Sequence, residues 1–353
     1  MPTSSSLDRA GRWFLESGIQ ESSGGVARFY RSDVERNNPI STEITGYAVG
    51  TLVYMHSATG DAAYLERAVE TARFLTRTAW DSASRTFPFE YPDTAKLTYF
   101  FDCGIIIRGL LAVWRATRDR EFLDSSLACG HSMLADFNSG TDFHPILRLP
   151  GKEPLARDAR WSRSPGCYQL KSALGWYELA EETGDARLRT AYEGLLAAAI
   201  ASHREFLPGH AEEARVMDRL HAYCYFLEAL LPYARRNPFA EEFGWGVATV
   251  GRLLHEIAPS FARSDVYAQL LRLRLFEIVP LDLEKAEIEA HELAVFQSAD
   301  PDIRVRGGFH FGRKDGSMLP YINPVSTAFA LQALEMWRRR RSGTLKPCRH
   351  MLI

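Results

Sequence analysis

Apolar residues recur along most of the chain at spacings of three and four, the pattern of helices that bury one face. In Thr42–Ser57, for example, Ile44, Tyr47, Ala48, Leu52 and Met55 fall at helical spacing. Comparable runs cover 7–19, 62–78, 100–116, 120–137, 166–182, 186–205, 218–234, 239–257, 263–278, 281–299 and 325–341. The pattern predicts twelve helices, joined alternately by tight turns and by long loops.

The tight turns repeat. They read Ala58-Thr59-Gly60-Asp61, Ala116-Thr117-Arg118-Asp119 and Glu182-Thr183-Gly184-Asp185, with a weaker copy at Ala234-Arg235-Arg236-Asn237. An aromatic or leucine anchor follows, as in Ala63-Tyr64-Leu65 and Glu121-Phe122-Leu123. Repeats at a period of about 50 residues imply stacked helical units, none able to bury its apolar face alone. The two ends also match each other. Gly24-Gly25, two aromatics, Arg31-Ser32-Asp33 and Asn38-Pro39-Ile40-Ser41-Thr42 recur in order as Gly307-Gly308, Phe309 and Phe311, Arg313-Lys314-Asp315 and Asn323-Pro324-Val325-Ser326-Thr327. Proline keeps the preceding asparagine extended, and Ser or Thr is expected to cap the following helix. Equivalent first and last units suit a closed ring. The expectation is an all-α chain, an (α/α)6 toroid of six helical hairpins with short β-hairpin-like loops. It would span 1–342 as one domain, with 343–353 as a C-terminal tail.

On these turns and Gly-Gly loops the chain resembles the (α/α) toroid superfamily, which includes six-hairpin glycosidases and squalene-cyclase or prenyltransferase-type repeat proteins. The resemblance spans nearly the whole chain. It carries the fold further than the chemistry, because one fold hosts many reactions.

Bulk composition narrows the options. The 353 residues carry a formal net charge of −2, so no global field recruits nucleic acid or an acidic membrane. The Arg338–Arg341 run sits at a helix end, where basic side chains suit the dipole. Met1–Ser6 shows no basic and apolar leader pattern, and no apolar run reaches membrane-spanning length. The five cysteines are scattered without paired spacing, which suits a reducing compartment, so a cytoplasmic protein is expected. No Gly-x-Gly-x-x-Gly after a strand, phosphate loop, Gly-x-Ser-x-Gly elbow or Asp-x-Asp-Asp motif occurs, and no cofactor is expected.

In such a ring the long loops, about 20–41, 80–100, 138–165, 206–217 and 300–324, share a face with the starts of the inner helices. Counting back from the turns, Glu43 lies 18 positions before Asp61, Asp102 lies 17 before Asp119 and Asp218 lies 19 before Asn237. Acids in a first helical turn are often structural, since the dipole favours them. Two features favour chemistry. Glu43 corresponds to Ala328 in the matching Asn-Pro-x-Ser-Thr repeat, so the scaffold does not require an acid there. Asp102 sits in Tyr99-Phe100-Phe101-Asp102-Cys103-Gly104, an apolar setting that raises a carboxyl pKa.

Resemblance to six-hairpin glycosidases and unsaturated uronyl hydrolases likewise implies an acid at an inner-helix start. Trp161, Tyr168, Phe309 and Tyr321 are expected to line a sugar site, with Arg108 and Asn323 supplying polar contacts. His221 follows Asp218 by just under one turn and is a candidate for proton transfer. His221 and Cys224 share a helical face, but no metal site is expected, and His221 is also read as a packed histidine. The leading expectation is an enzyme acting on a glycosidic linkage of an acidic or uronic oligosaccharide. Asp102 would be the general acid or base and Glu43 or Asp218 its partner. Lyase or epimerase chemistry would instead use Tyr or His as base. The alternatives are a non-catalytic toroid binding a glycan or peptide, and a metal-dependent cyclase-like enzyme.

Overall fold

The computed structural model describes residues 5–140, 142–207 and 212–353. Among them are twelve α-helices: α1 Ser6–Glu16, α2 Thr42–Thr59, α3 Ala62–Arg73, α4 Phe100–Thr117, α5 Arg120–Asp136, α6 Gln169–Thr183, α7 Ala186–Phe206, α8 Glu213–Ala229, α9 Phe239–Ile257, α10 Ser264–Leu275, α11 Leu283–Val295 and α12 Pro324–Arg341. No described helix is long and apolar enough to cross a membrane.

The repeated turns work by a shared local mechanism. Thr59 hydrogen-bonds back to the Met55 carbonyl and accepts from the Asp61 amide at 3.2 Å. Gly60 closes α2 in the left-handed conformation, φ 75°, and Asp61 caps α3 by accepting from the Ala63 amide. Thr117 and Asp119, then Thr183 and Asp185, repeat the same bonds. The fourth copy lacks these side chains, and there the structure departs from expectation. Helix α8 covers Glu213–Ala229, several residues earlier than the periodicity placed it, and Pro238 rather than Asn237 stands at the α9 cap.

The chain divides into two compact units. One comprises Gln20–Arg28 and Pro39–Phe206. Within it α2, α4 and α6 lie side by side, with α3, α5 and α7 packed against them. The inner three are buried on most of their circumference, which is why their sequences are apolar nearly all round. Helices α2 and α4 approach so closely that a Cβ on Gly109 would stand 2.3 Å from the Gly46 carbonyl oxygen. Short antiparallel strands pair 40–41 with 90–91, and 97–99 with 146–148, above the helix starts.

The other unit comprises Met1–Ile19, Phe29–Asn38 and Leu207–Ile353. Here α10 packs against α8, α9, α11 and α12, and α1 lies beside α12. The two Gly-Gly segments meet in an antiparallel sheet, Tyr30 opposite Ile322 and Arg31 opposite Tyr321. Their helices are capped differently. Ser41 caps α2, whereas Asn323 accepts from the Val325 and Ser326 amides and starts α12 three positions earlier in the repeat. The residues after Arg341 return to the helices: Leu352 and Ile353 are buried, and the Ile353 carbonyl accepts from Arg272 Nη1 at 3.2 Å.

Candidate active site

Asp102 is the third residue of α4, and Tyr99 at the cap makes no side-chain capping bond. The Asp102 carboxylate lies in the first turn of α4, where its own backbone amide contributes to holding it. It is 3 % exposed, and its Oδ2 is buried with no hydrogen-bond partner. Such an atom costs on the order of 1–3 kcal/mol if left unsatisfied, more when charged. Glu43, second in α2, is partly exposed and makes no hydrogen bond or ion pair among the described residues. The close α2–α4 approach brings the two acids into electrostatic contact.

Burial and the Glu43 charge push the Asp102 carboxyl well above its ordinary range, against a smaller opposing pull from Arg28. Desolvation raises Glu43 to about 7, again opposed by Arg28. Two carboxyls in one low-dielectric site cannot both ionise cheaply, so the pair holds a proton near neutral pH.

Arg28 is placed by two contacts, its guanidinium 4.4 Å over the Phe89 ring and 3.3 Å from Glu90 Oε2. Phe89 in turn packs on Tyr99, with ring centroids 4.8 Å apart. Tyr99 lies between acids and bases: burial and Asp102 raise its hydroxyl, while Arg163, Arg28 and Arg160 pull the other way. Tyr168 is buried, donates to the Ser164 carbonyl at 3.1 Å and meets Trp161 edge-on at 5.0 Å. Arg160 and Arg163 both pair with Asp158, which fixes the 158–163 loop.

A second group of ionisable residues forms in the other unit. Arg263 forks onto Asp265, Nε to Oδ1 at 3.0 Å and Nη2 to Oδ2 at 2.6 Å, and its Nη1 reaches Asp218 Oδ1 at 2.6 Å. His221 is buried, with Nδ1 2.8 Å from Gln269 Oε1 and 3.4 Å from Asp265 Oδ2. Two acceptors at Nδ1 require the proton there, which leaves the Nε2 lone pair without a partner among the described residues. Burial lowers His221 to about 4, so the ring is neutral at pH 7. Burial pushes the Cys224 thiol well up, and it keeps its proton. Among the described residues no group of three or more His, Cys, Asp or Glu is gathered as metal ligands.

The sequence-predicted residues are divided between the two units, Glu43, Asp102, Trp161 and Tyr168 in one and Asp218 and His221 in the other. Asp102 feels the charge of Glu43 and itself acts on Tyr168, whose ring meets Trp161. Asp218 and His221 join the Arg263 group. Asp218 is the sixth residue of α8, which starts five residues before its expected position, and its side chain is 53 % exposed. Three expected binding residues are occupied by the scaffold. Arg108 is buried on Glu178 Oε1 at 3.0 Å, Phe309 is wholly buried, and Asn323 caps α12. Tyr321 packs edge-on against Phe29 and lies under Arg31.

Sequence reasoning missed Arg28, Arg263, Asp265 and Gln269. Asp265 was within reach. Asp282 caps α11 by accepting from the Lys285 amide, and Asp265 lies 17 positions before it, the same offset as Asp102 from Asp119. That turn carries no Thr-Gly, so the repeat went unseen.

No protein-family model matches the sequence, and no curated protein matches it. Solved structures do match in fold. A cellobiose 2-epimerase from Spirochaeta thermophila DSM 6192 superposes with a TM-score of 0.71 at 15 % identity, covering 93 % of this chain and 96 % of the other. An unsaturated glucuronyl hydrolase from Bacillus sp. GL1 gives 0.66 at 14 % identity, covering 96 % and 97 %. A D-mannose isomerase gives 0.68 at 10 %, covering 93 % and 96 %. At such identities the likeness shows the fold alone, and the chain has the (α/α)6 toroid fold.

Proposed function

We propose that the chain is a carbohydrate-active enzyme acting on a glycosidic linkage of an acidic or uronic oligosaccharide, with Asp102 and Glu43 as its acid/base pair. One observation carries this reading: two neighbouring carboxyls, one buried with an unpartnered oxygen and both raised, at the starts of adjacent inner helices. Glycoside hydrolysis needs one carboxyl that keeps its proton and one that has lost it. Asp102, the deeper, is the proton donor. Glu43, ionised above about 7, is the base. Arg28, Arg160 and Arg163 favour a substrate with a carboxylate or sulfate. The sugar-processing names of the structures with this fold support the substrate class by analogy. A cytoplasmic location belongs to the same proposal and is supported by five free cysteines.

A second reading, epimerisation or isomerisation of a sugar, is favoured by His221, a neutral imidazole whose Nε2 lone pair is unengaged. Incubation of uronic oligosaccharides in D2O separates the two. Hydrolysis releases new reducing ends and is abolished by Asp102→Asn. Epimerisation exchanges a carbon-bound proton for deuterium and is abolished by His221→Gln. Binding of the oligosaccharide without either product would make the chain a glycan binder and remove the enzyme assignment.

A further inference from the structure

The Gly307-Gly308 pair builds a second concave site. Gly307 has φ 88°, and a Cβ there would lie 2.4 Å from the Arg9 carbonyl oxygen of α1. A Cβ on Gly308 would lie 2.9 Å from Trp13 Nε1. Only glycines let the 298–307 loop sit this close to α1. Hydrogen bonds then lock the approach. Gln297 Nε2 donates to the Ser6 and Gly307 carbonyls, both at 3.0 Å, and Trp13 Nε1 donates to the Arg304 carbonyl at 2.9 Å.

Between helix and loop lies a cavity of about 270 Å³ lined by Arg9, Arg12, Trp13, Glu16, Ile303 and Arg306. That is just under the range of about 300–1,000 Å³ typical of small-molecule sites, room for a ligand of roughly one sugar ring. Arg9 is already held by Gln297 Oε1 at 2.7 Å. The Arg12 and Arg306 guanidiniums have no acceptor among the described residues. Two unengaged guanidiniums across a small cleft suit an oxyanion bound bidentately. The apolar side of the cleft is the 45 % exposed Ile303, backed by the buried Trp13, and suits the carbon face of a ring. Glu16 decides between ligands. Its carboxylate accepts from hydroxyls and repels a ligand that is anionic on every side, so a hydroxylated ring with one acidic group fits better than a bare inorganic anion.

We propose that this α1–loop cleft binds one acidic sugar unit, carrying a carboxylate or sulfate, at a site separate from Asp102 and Glu43. The choice of sugar rests on the proposed function; the oxyanion chemistry does not. The Trp13 indole N–H resonance, assigned with Trp13→Phe, reports on the cleft locally in full-length protein. Trigalacturonate should shift it saturably, and the affinity should fall at least tenfold in Arg12→Ala/Arg306→Ala and weaken with added salt. Neutral maltotriose should leave it unmoved. Turnover of a short uronic oligosaccharide should be the same in the double variant as in the parent, so loss of this cleft and failure of the active-site assignment are read separately. Absence of a saturable shift, or undiminished binding in the double variant, overturns the site. Equal affinity for sodium sulfate overturns the sugar assignment in favour of a plain oxyanion site.

Discussion

Replacing Glu43 with glutamine isolates the cost of burying its charge beside Asp102. The folded chain keeps the Glu43 proton up to about 7, the unfolded chain only to the ordinary 4.5. Folding therefore takes up a proton between those values. The associated stability is fully present below about 4.5 and is lost as pH rises through about 7. At about 1.4 kcal/mol per pH unit the full shift corresponds to on the order of 3 kcal/mol. Glu43 is partly exposed, so solvent screening reduces this to on the order of 2 kcal/mol. Glutamine mimics the protonated acid. The Glu43→Gln variant should match the parent in stability at pH 4 and exceed it by about 2 kcal/mol at pH 8, read from urea unfolding midpoints at constant m-value. His221, lowered to about 4, titrates in the opposite sense, its stability present above 6.5 and lost as pH falls through about 4. It is common to both proteins and cancels in the difference. An equal effect at both pH values, or no gain at pH 8, would refute the raised Glu43 pKa and with it the proton assigned to the pair.

Three further outcomes are expected. Glu178→Gln should cost about 3 kcal/mol or more in chemical unfolding, because it strips the buried partner from Arg108 and Arg115. Gly109→Ala should cost about 1–3 kcal/mol and lower the melting temperature, since its Cβ meets the Gly46 carbonyl oxygen at 2.3 Å and must part α2 from α4. Imidazole ¹⁵N spectra should find His221 neutral with its proton on Nδ1 at pH 7 and titrating near pH 4; a proton on Nε2 would contradict the Gln269 and Asp265 contacts.

What the sequence determined by itself was local. The Thr-x-Asp turns are legible because each of their bonds joins residues within four positions: the threonine to the carbonyl behind it, the aspartate to the amide ahead. Helical periodicity placed most helix boundaries within a few residues for the same reason, and it failed at α8, where the capping side chains are missing. The offset from those turns also marked Glu43 and Asp102, since both the turn and the start of the preceding helix are locally encoded.

Tertiary structure decided which charges face one another. Nothing near Arg108 announces that Glu178, 70 residues away, will hold it in the interior. Asp265 fixes the His221 proton across 44 positions, and only the α8–α10 packing puts them in contact. Burial raises Glu43 and Asp102, and the Glu43 charge raises Asp102 further, effects that exist only once α2 and α4 have closed to glycine distance. Propensity and capping act along the chain; desolvation and Coulomb interaction act through space, so a single strand of letters records the first and not the second.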